Sequence, residues 1–163
     1  MSKMTLKTEG DRHVVVTRRF AAAPEAVYRA HTEPALIQKW LLGPDGCWMP
    51  VCINEARPGG KIRYEWTNGE GGGGFYVTGE HLELVPFSRL VHVERMHMPD
   101  ATPDNHVETT FAPDGSGTLM TMRMTLPDAA TRAAMLSTGM EHGMEASYVR
   151  LETTLNSSPA LNH

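Results

Sequence analysis

His92 and Glu94 stand two residues apart in Arg89-Leu90-Val91-His92-Val93-Glu94-Arg95-Met96-His97. In an extended strand, residues two apart project to the same side, so Leu90, His92, Glu94 and Met96 share one face. An imidazole beside a carboxylate can act as a general base, because the carboxylate orients the ring and stabilises its protonated form. The same pair can also be purely structural, a buried histidine satisfied by an acid. If that face is inward, the pair lies within reach of Tyr64, which belongs to another alternating segment. These three residues are the catalytic candidates.

Other chemistries find less support. Gly69-x-Gly71-x-x-Gly74 has the letters of a dinucleotide fingerprint. That motif works only where a helix N-terminus follows and offers its free N–H groups to the pyrophosphate. Here Phe75-Tyr76-Val77 follows, which favours a strand, so the glycines join two strands. No Gly-x-Ser-x-Gly or His-Glu-x-x-His occurs. His97 and His106 flank one loop without a third ligand, so no metal site is expected, and nothing calls for a cofactor. Cys47 and Cys52 would close only a trivial loop and read as reduced thiols.

Composition narrows the class of partner. Lys+Arg 15 against Asp+Glu 19 gives a net charge of -4, and no basic cluster exceeds Arg18-Arg19. Nucleic acid is therefore not an expected partner. No run approaches the ~18 apolar residues of a membrane span, and the N-terminus lacks the apolar core of a leader, so a cytoplasmic protein is expected. The 163 residues suit one domain, with a core from about 12 to 155 and flexible termini at 1–11 and 156–163. Eleven methionines are many for this length. Methionine is flexible and polarisable, suited both to irregular cores and to surfaces that adapt to varied apolar partners.

The elements that would position these groups follow from periodicity and turn chemistry. Residues 13–20 read as a strand. Pro24 and Pro34 suit the first turns of two short helices, with Thr32 as a capping residue before the second. Strands follow at 48–56, 61–66, 75–85, 89–97, 106–111 and 118–126, separated by short turns rich in Gly, Pro and Asp, which implies an antiparallel meander. Ile62, Tyr64 and Trp66 alternate with Lys61, Arg63 and Glu65. Met120, Met122 and Met124 share a face of the last strand. From about Asp128 to Leu155 the chain reads as a long helix with Met140, Met144, Tyr148, Leu151 and Leu155 along one side. Gly139 and Gly143 are costly in a helix interior. They mark close packing, a break near Gly139, or room for a ligand.

The segments "RRFAAAPEAVYRAHTEPALIQKWLLGP", "PVC", "RPGG", "GEHLELVPFSRLV", "GSGTLMTM" and "STGMEHGMEASYVRLETTL" occur in that order. In this the chain resembles bacterial proteins related to the C-terminal domain of the activator of the heat-shock-protein-90 ATPase, within the START-like (SRPBCC) superfamily. The resemblance implies an α+β helix-grip fold: a curved antiparallel sheet of six to seven strands, two short helices, and a long C-terminal helix over a deep apolar cavity. Under that layout Ile62, Tyr64, Trp66, Met120, Met122 and Met124 would line the cavity from the sheet. Met140, Met144 and Tyr148 would line it from the helix. His92 and Met96 would join them. Residues 49–56 leave their own register open between Met49/Val51/Ile53 and Cys52/Asn54/Ala56. The family pattern favours the second set, which would let Asn54 hydrogen-bond a guest's polar end.

Three functional readings follow from the resemblance. The first is binding of a small hydrophobic molecule or lipid. The second is a cyclase- or hydrolase-type reaction using His92, Glu94 and Tyr64. The third is a chaperone-ATPase accessory, which transfers poorly because the eukaryotic co-chaperones carry a further N-terminal domain and about eleven residues precede the first strand here. A homodimer is compatible with the fold. The Gly69–Gly74 loop, near the cavity mouth, would act as a gate or as an inert turn.

Overall fold

The alternation seen from residue 13 onward builds a single sheet in the computed structural model, which describes residues 3–43, 46–67, 74–97 and 100–157. The elements are β1 (Thr5–Glu9), β2 (His13–Phe20), α1 (Pro24–Thr32), α2 (Pro34–Trp40), β3 (Trp48–Asn54), β4 (Lys61–Thr67), β5 (Phe75–Val85), β6 (Arg89–His97), β7 (Asn105–Asp114), β8 (Gly117–Thr125), α3 (Ala129–Leu136) and α4 (Met140–Asn156). The eight strands are ordered β1-β2-β8-β7-β6-β5-β4-β3, and every pairing is antiparallel. The strand count is therefore eight, not six to seven. The additional strand, β1, lies in the stretch 1–11 read as a flexible terminus: it is an edge strand of Thr, Lys and Glu around one Leu, in which no residue is fully buried. An edge strand of that kind carries almost no hydrophobic signal.

Register fixes one face of the sheet as the inner one. Val14, Met124, Val107, His92 and His81 lie opposite one another across β2, β8, β7, β6 and β5. Against this face α4 lays Tyr148, Leu151 and Leu155, all buried, so the period of the helix and that of the strands bury the same interior. Val16, Phe20, Met120, Leu151 and Leu155 are essentially inaccessible to solvent. Each such aliphatic or aromatic side chain contributes roughly 1.5–3 kcal/mol on burial. Trp40 of α2 stacks on Tyr148 at 5.8 Å, and Phe20 meets the same ring edge-on at 5.8 Å, which ties α2 and β2 to α4.

Both prolines occupy the first turns of their helices, where the missing N–H is no loss. The residue between the helices acts differently from the expectation. Glu33 is at once the C-cap of α1 and the N-cap of α2, while the Thr32 hydroxyl donates back to the Tyr28 carbonyl at 3.2 Å. The C-terminal segment is two helices. Asp128 caps α3 by accepting from the Thr131 N–H at 2.7 Å, and the chain turns at Gly139, whose φ of 76° is left-handed, before α4 begins. Glycine adopts that conformation without the Cβ clash that other residues meet. Among the described residues no helix is long and apolar enough to cross a membrane.

Candidate functional site

The strands β3, β4, β5 and β6 bring five polar side chains onto the inner face. Asn54 faces Ile62, which faces Gly79, which in turn faces Glu94; one step along, His81 faces His92. Cys52 lies beside Tyr64, so the register of residues 49–56 puts Cys52 and Asn54 on the inner side, while Ile53 is exposed. A shift in the β3–β4 register between Trp48 and Val51 lets Met49 be buried as well.

Hydrogen bonds join these groups. Asn54 Nδ2 donates to Tyr64 Oη at 2.8 Å and to the His31 carbonyl at 3.4 Å, and Asn54 Oδ1 lies 2.8 Å from His81 Nε2. His92 Nε2 lies 2.7 Å from Glu94 Oε1. The rings of His81 and His92 are 6.4 Å apart. His31, in the last turn of α1, contacts Val27 O through Nδ1 at 2.7 Å and packs its ring on Trp40 and Phe111 at 4.9 and 5.1 Å.

Burial sets the electrostatics. Desolvation pushes the pKa of His31 down to about 4, with the nearby His92 adding to the effect. Desolvation and the same neighbour lower His81 to about 4. Both rings are therefore neutral at pH 7, so each offers one donor and one acceptor nitrogen. Burial also raises the Tyr64 phenol, partly offset by the Asn54 hydrogen bond and reinforced by Cys52 and Glu94. It pushes Cys52 up to about 11, which makes that thiol a poor nucleophile.

The methionines divide into two sets. Met120 and Met124, with Ile62 and Tyr148, are buried and form the packed floor. Met122, Met140 and Met144 are only partly covered and pack against the core from its margin, together with Leu84, Met135 and Leu136. Met96 is half-buried beside Val77. Trp66 gives its indole N–H to the Leu41 carbonyl at 2.7 Å and stacks on Phe75 at 4.9 Å, which makes it part of the wall near α2. Two depressions, of about 280 and 470 Å³, lie around Thr78, Gly79 and Glu80. Charged residues line much of their rims, among them Arg95, Asp104, Lys61 and Arg63. The side chains of Thr78 and Glu80 point away from Gly79, so these depressions belong to the outer face and not to the methionine margin.

His92, Glu94, Tyr64 and Asn54 thus share one face; spacing put His92 with Glu94, while for Asn54 it left the register open and only the family resemblance favoured this side. His31 and His81 are the residues that sequence reasoning missed. For His81 a signal existed, since its parity with Val77 and Gly79 puts it on the inner side. For His31 none did, because a helix end gives no hint of the strand it will touch. Of the Gly69–Gly74 loop, read as a gate or an inert turn, residues 69–73 lie outside the described residues. Among those described, no three His, Cys, Asp or Glu side chains converge as metal ligands.

An eight-stranded antiparallel sheet gripping a C-terminal helix, with a polar cluster and a methionine margin between them, defines a START-like protein of the helix-grip class. The model of the family described as activator of Hsp90 ATPase homolog 1-like protein matches residues 21–156, and the chain belongs to that family. A solved structure from Rhodobacter sphaeroides is 29% identical, covers 96% of this chain and 100% of its own, and superposes with a TM-score of 0.89. One from Chromobacterium violaceum is 26% identical, covers 90% and 99% respectively, and gives 0.75. One from Mycobacterium smegmatis, 20% identical over 94% and 97%, gives 0.83 and shares the fold. A comparison with curated proteins finds no match.

Proposed function

We propose that the protein binds a small apolar or amphipathic molecule between the inner face of the sheet and the first turns of α4. The observation that carries this reading is the margin of Met122, Met140 and Met144, partly covered and packed against the buried core. Flexible thioethers at the edge of a core can part and re-form around a guest at low cost. The polar cluster of Asn54, Tyr64, His81, His92 and Glu94 lies on the same inner face and would orient the guest's polar end. Native mass spectrometry of the protein as purified, followed by denaturing extraction, tests the reading. A bound lipophile of discrete mass, released on denaturation, is expected. A protein that is empty as purified and takes up no added lipophile contradicts it.

A second reading, a cyclase- or hydrolase-type reaction in the same place, draws on the 2.7 Å contact between His92 and Glu94. It requires that His92→Ala abolish turnover while leaving binding of the guest intact. Unchanged turnover in that variant removes His92 from any catalytic role.

A further inference from the structure

Among the described residues, three side chains carry buried polar atoms that lack a hydrogen-bond partner: Arg18 and His81, themselves buried, and the half-buried Asn105. All three project from the inner face of the sheet, Arg18 opposite Met120, His81 opposite His92, and Asn105 opposite Glu94. Buried polar atoms are almost always paired, so an unpaired one on a candidate binding face indicates what that face is built to receive. His81 permits the most definite conclusion, because its protonation pattern follows from its neighbours.

The His31 carbonyl can only accept, so the Asn54 atom that approaches it is Nδ2. The other Nδ2 proton goes to Tyr64 Oη. Asn54 Oδ1 therefore faces His81 Nε2, and that nitrogen must carry the proton. Since the ring is neutral, Nδ1 is a bare lone pair, wholly buried and, among the described residues, unpartnered. It can only accept. Tyr64 accepts from Asn54 through its oxygen, and among the described residues its own proton has no partner. The unit His81–Asn54–Tyr64 thus offers one free acceptor and one free donor.

The charge around this unit disfavours an anionic head. Glu94 lies close enough to Tyr64 to disfavour its ionisation, and a guest carboxylate would meet the same field. Arg18, a buried cation of the inner face, is on β2, four strands away from β5, and is engaged by Glu152.

We infer that the guest is a neutral hydroxylated lipophile, an alcohol or phenol, whose O–H donates to Nδ1 of His81. This rests on the binding reading proposed above and adds the chemical class of the guest. Tyr64 is the second polar contact, donating to an oxygen on the same end of the guest.

The test compares three probes with one tail: 1-decanol, decyl methyl ether and decanoate, titrated into the full chain and into His81→Phe. Decanol is expected to bind about tenfold more tightly than the ether, the value of one buried hydrogen bond. In His81→Phe the two should bind alike, at the affinity the ether shows for the unaltered protein. Equal affinity for alcohol and ether in the unaltered protein overturns the inference and leaves the binding reading standing. Decanoate binding most tightly also overturns it, and assigns the head to the unpaired edge of Arg18. Binding of none of the three overturns both readings. Should His81→Phe fail to fold, ¹⁵N imidazole spectra of the unaltered protein decide the matter. The Nδ1 resonance of His81 must be that of an unprotonated nitrogen and must move on adding decanol. A protonated Nδ1, or one that decanol does not shift, overturns the inference.

Discussion

Arg18 and Glu152 form a buried ion pair, Nη1 to Oε1 at 3.2 Å, with Glu152 Oε2 also accepting the Ala21 N–H at 3.1 Å. Breaking such a pair leaves a charge in the core without compensation, and typically costs about 3–5 kcal/mol. Glu152→Gln should lower the denaturant midpoint accordingly, whereas Arg18→Met with Glu152→Leu should recover most of the loss; a neutral Glu152→Gln would show that the pair is not sealed. The buried imidazoles make a separate prediction. His31 and His81 have pKa values of about 4 in the fold, below the ordinary 6.5, so the unfolded chain binds more protons between those limits. Stability is therefore complete above pH 6.5 and falls as the pH drops toward 4, by roughly 1 kcal/mol per pH unit for each ring. Urea unfolding at pH 7.5 and 5.5 should show the loss, and His31→Gln should reduce it. An identical midpoint at the two pH values would mean that neither ring is buried neutral. The face shared by His92 and Glu94 was legible in the sequence, because a period of two needs only local counting. Arg18 sits in the same period as Val14, Val16 and Phe20, yet beside Arg19 it registered only as part of a short basic cluster. Its acid partner lies 134 residues away, and no local pattern records such a distance.

At the scale of elements, the junction of α3 and α4 is what aims the helix. Gly139 holds φ at 76° and precedes Met140, so its conformation sets where Met140 and Met144 meet the sheet. Gly139→Ala should destabilise the protein by about 1 kcal/mol, and Gly139→Asn by less, because Asn tolerates the left-handed region better. Thermal unfolding distinguishes the two; an alanine variant as stable as the parent would show that the turn is not held in this conformation. Most of the strands from β2 to β8 could be read within a residue, since each combines β-branched or alternating residues with a Gly, Pro or Asp turn; β3 ends two residues earlier than read, and β7 runs three residues further, to Asp114, through Ala112-Pro113-Asp114 that read as a turn. Two features escaped. β1 buries too little to announce itself, and the helix break was one of several readings of two glycines, which only tertiary geometry separates.

For the whole molecule, the meander and the returning helix enclose one interior whose deep part is filled by Phe20, Trp40, Tyr148, Leu151 and Leu155, all of them buried. The fold could be read from the order of its elements. The guest could not, because apolar lining specifies size more than chemistry, and the polar cluster draws on β3, β4, β5, β6 and α1. The central claim is that a guest enters at the methionine margin. Methyl-¹³C methionine spectra recorded during titration with 1-decanol test it most directly. The account predicts saturable shifts at Met122, Met140 and Met144, with the buried Met49 of β3 unmoved. Saturable binding that shifts Met49 and leaves those three in place would contradict it.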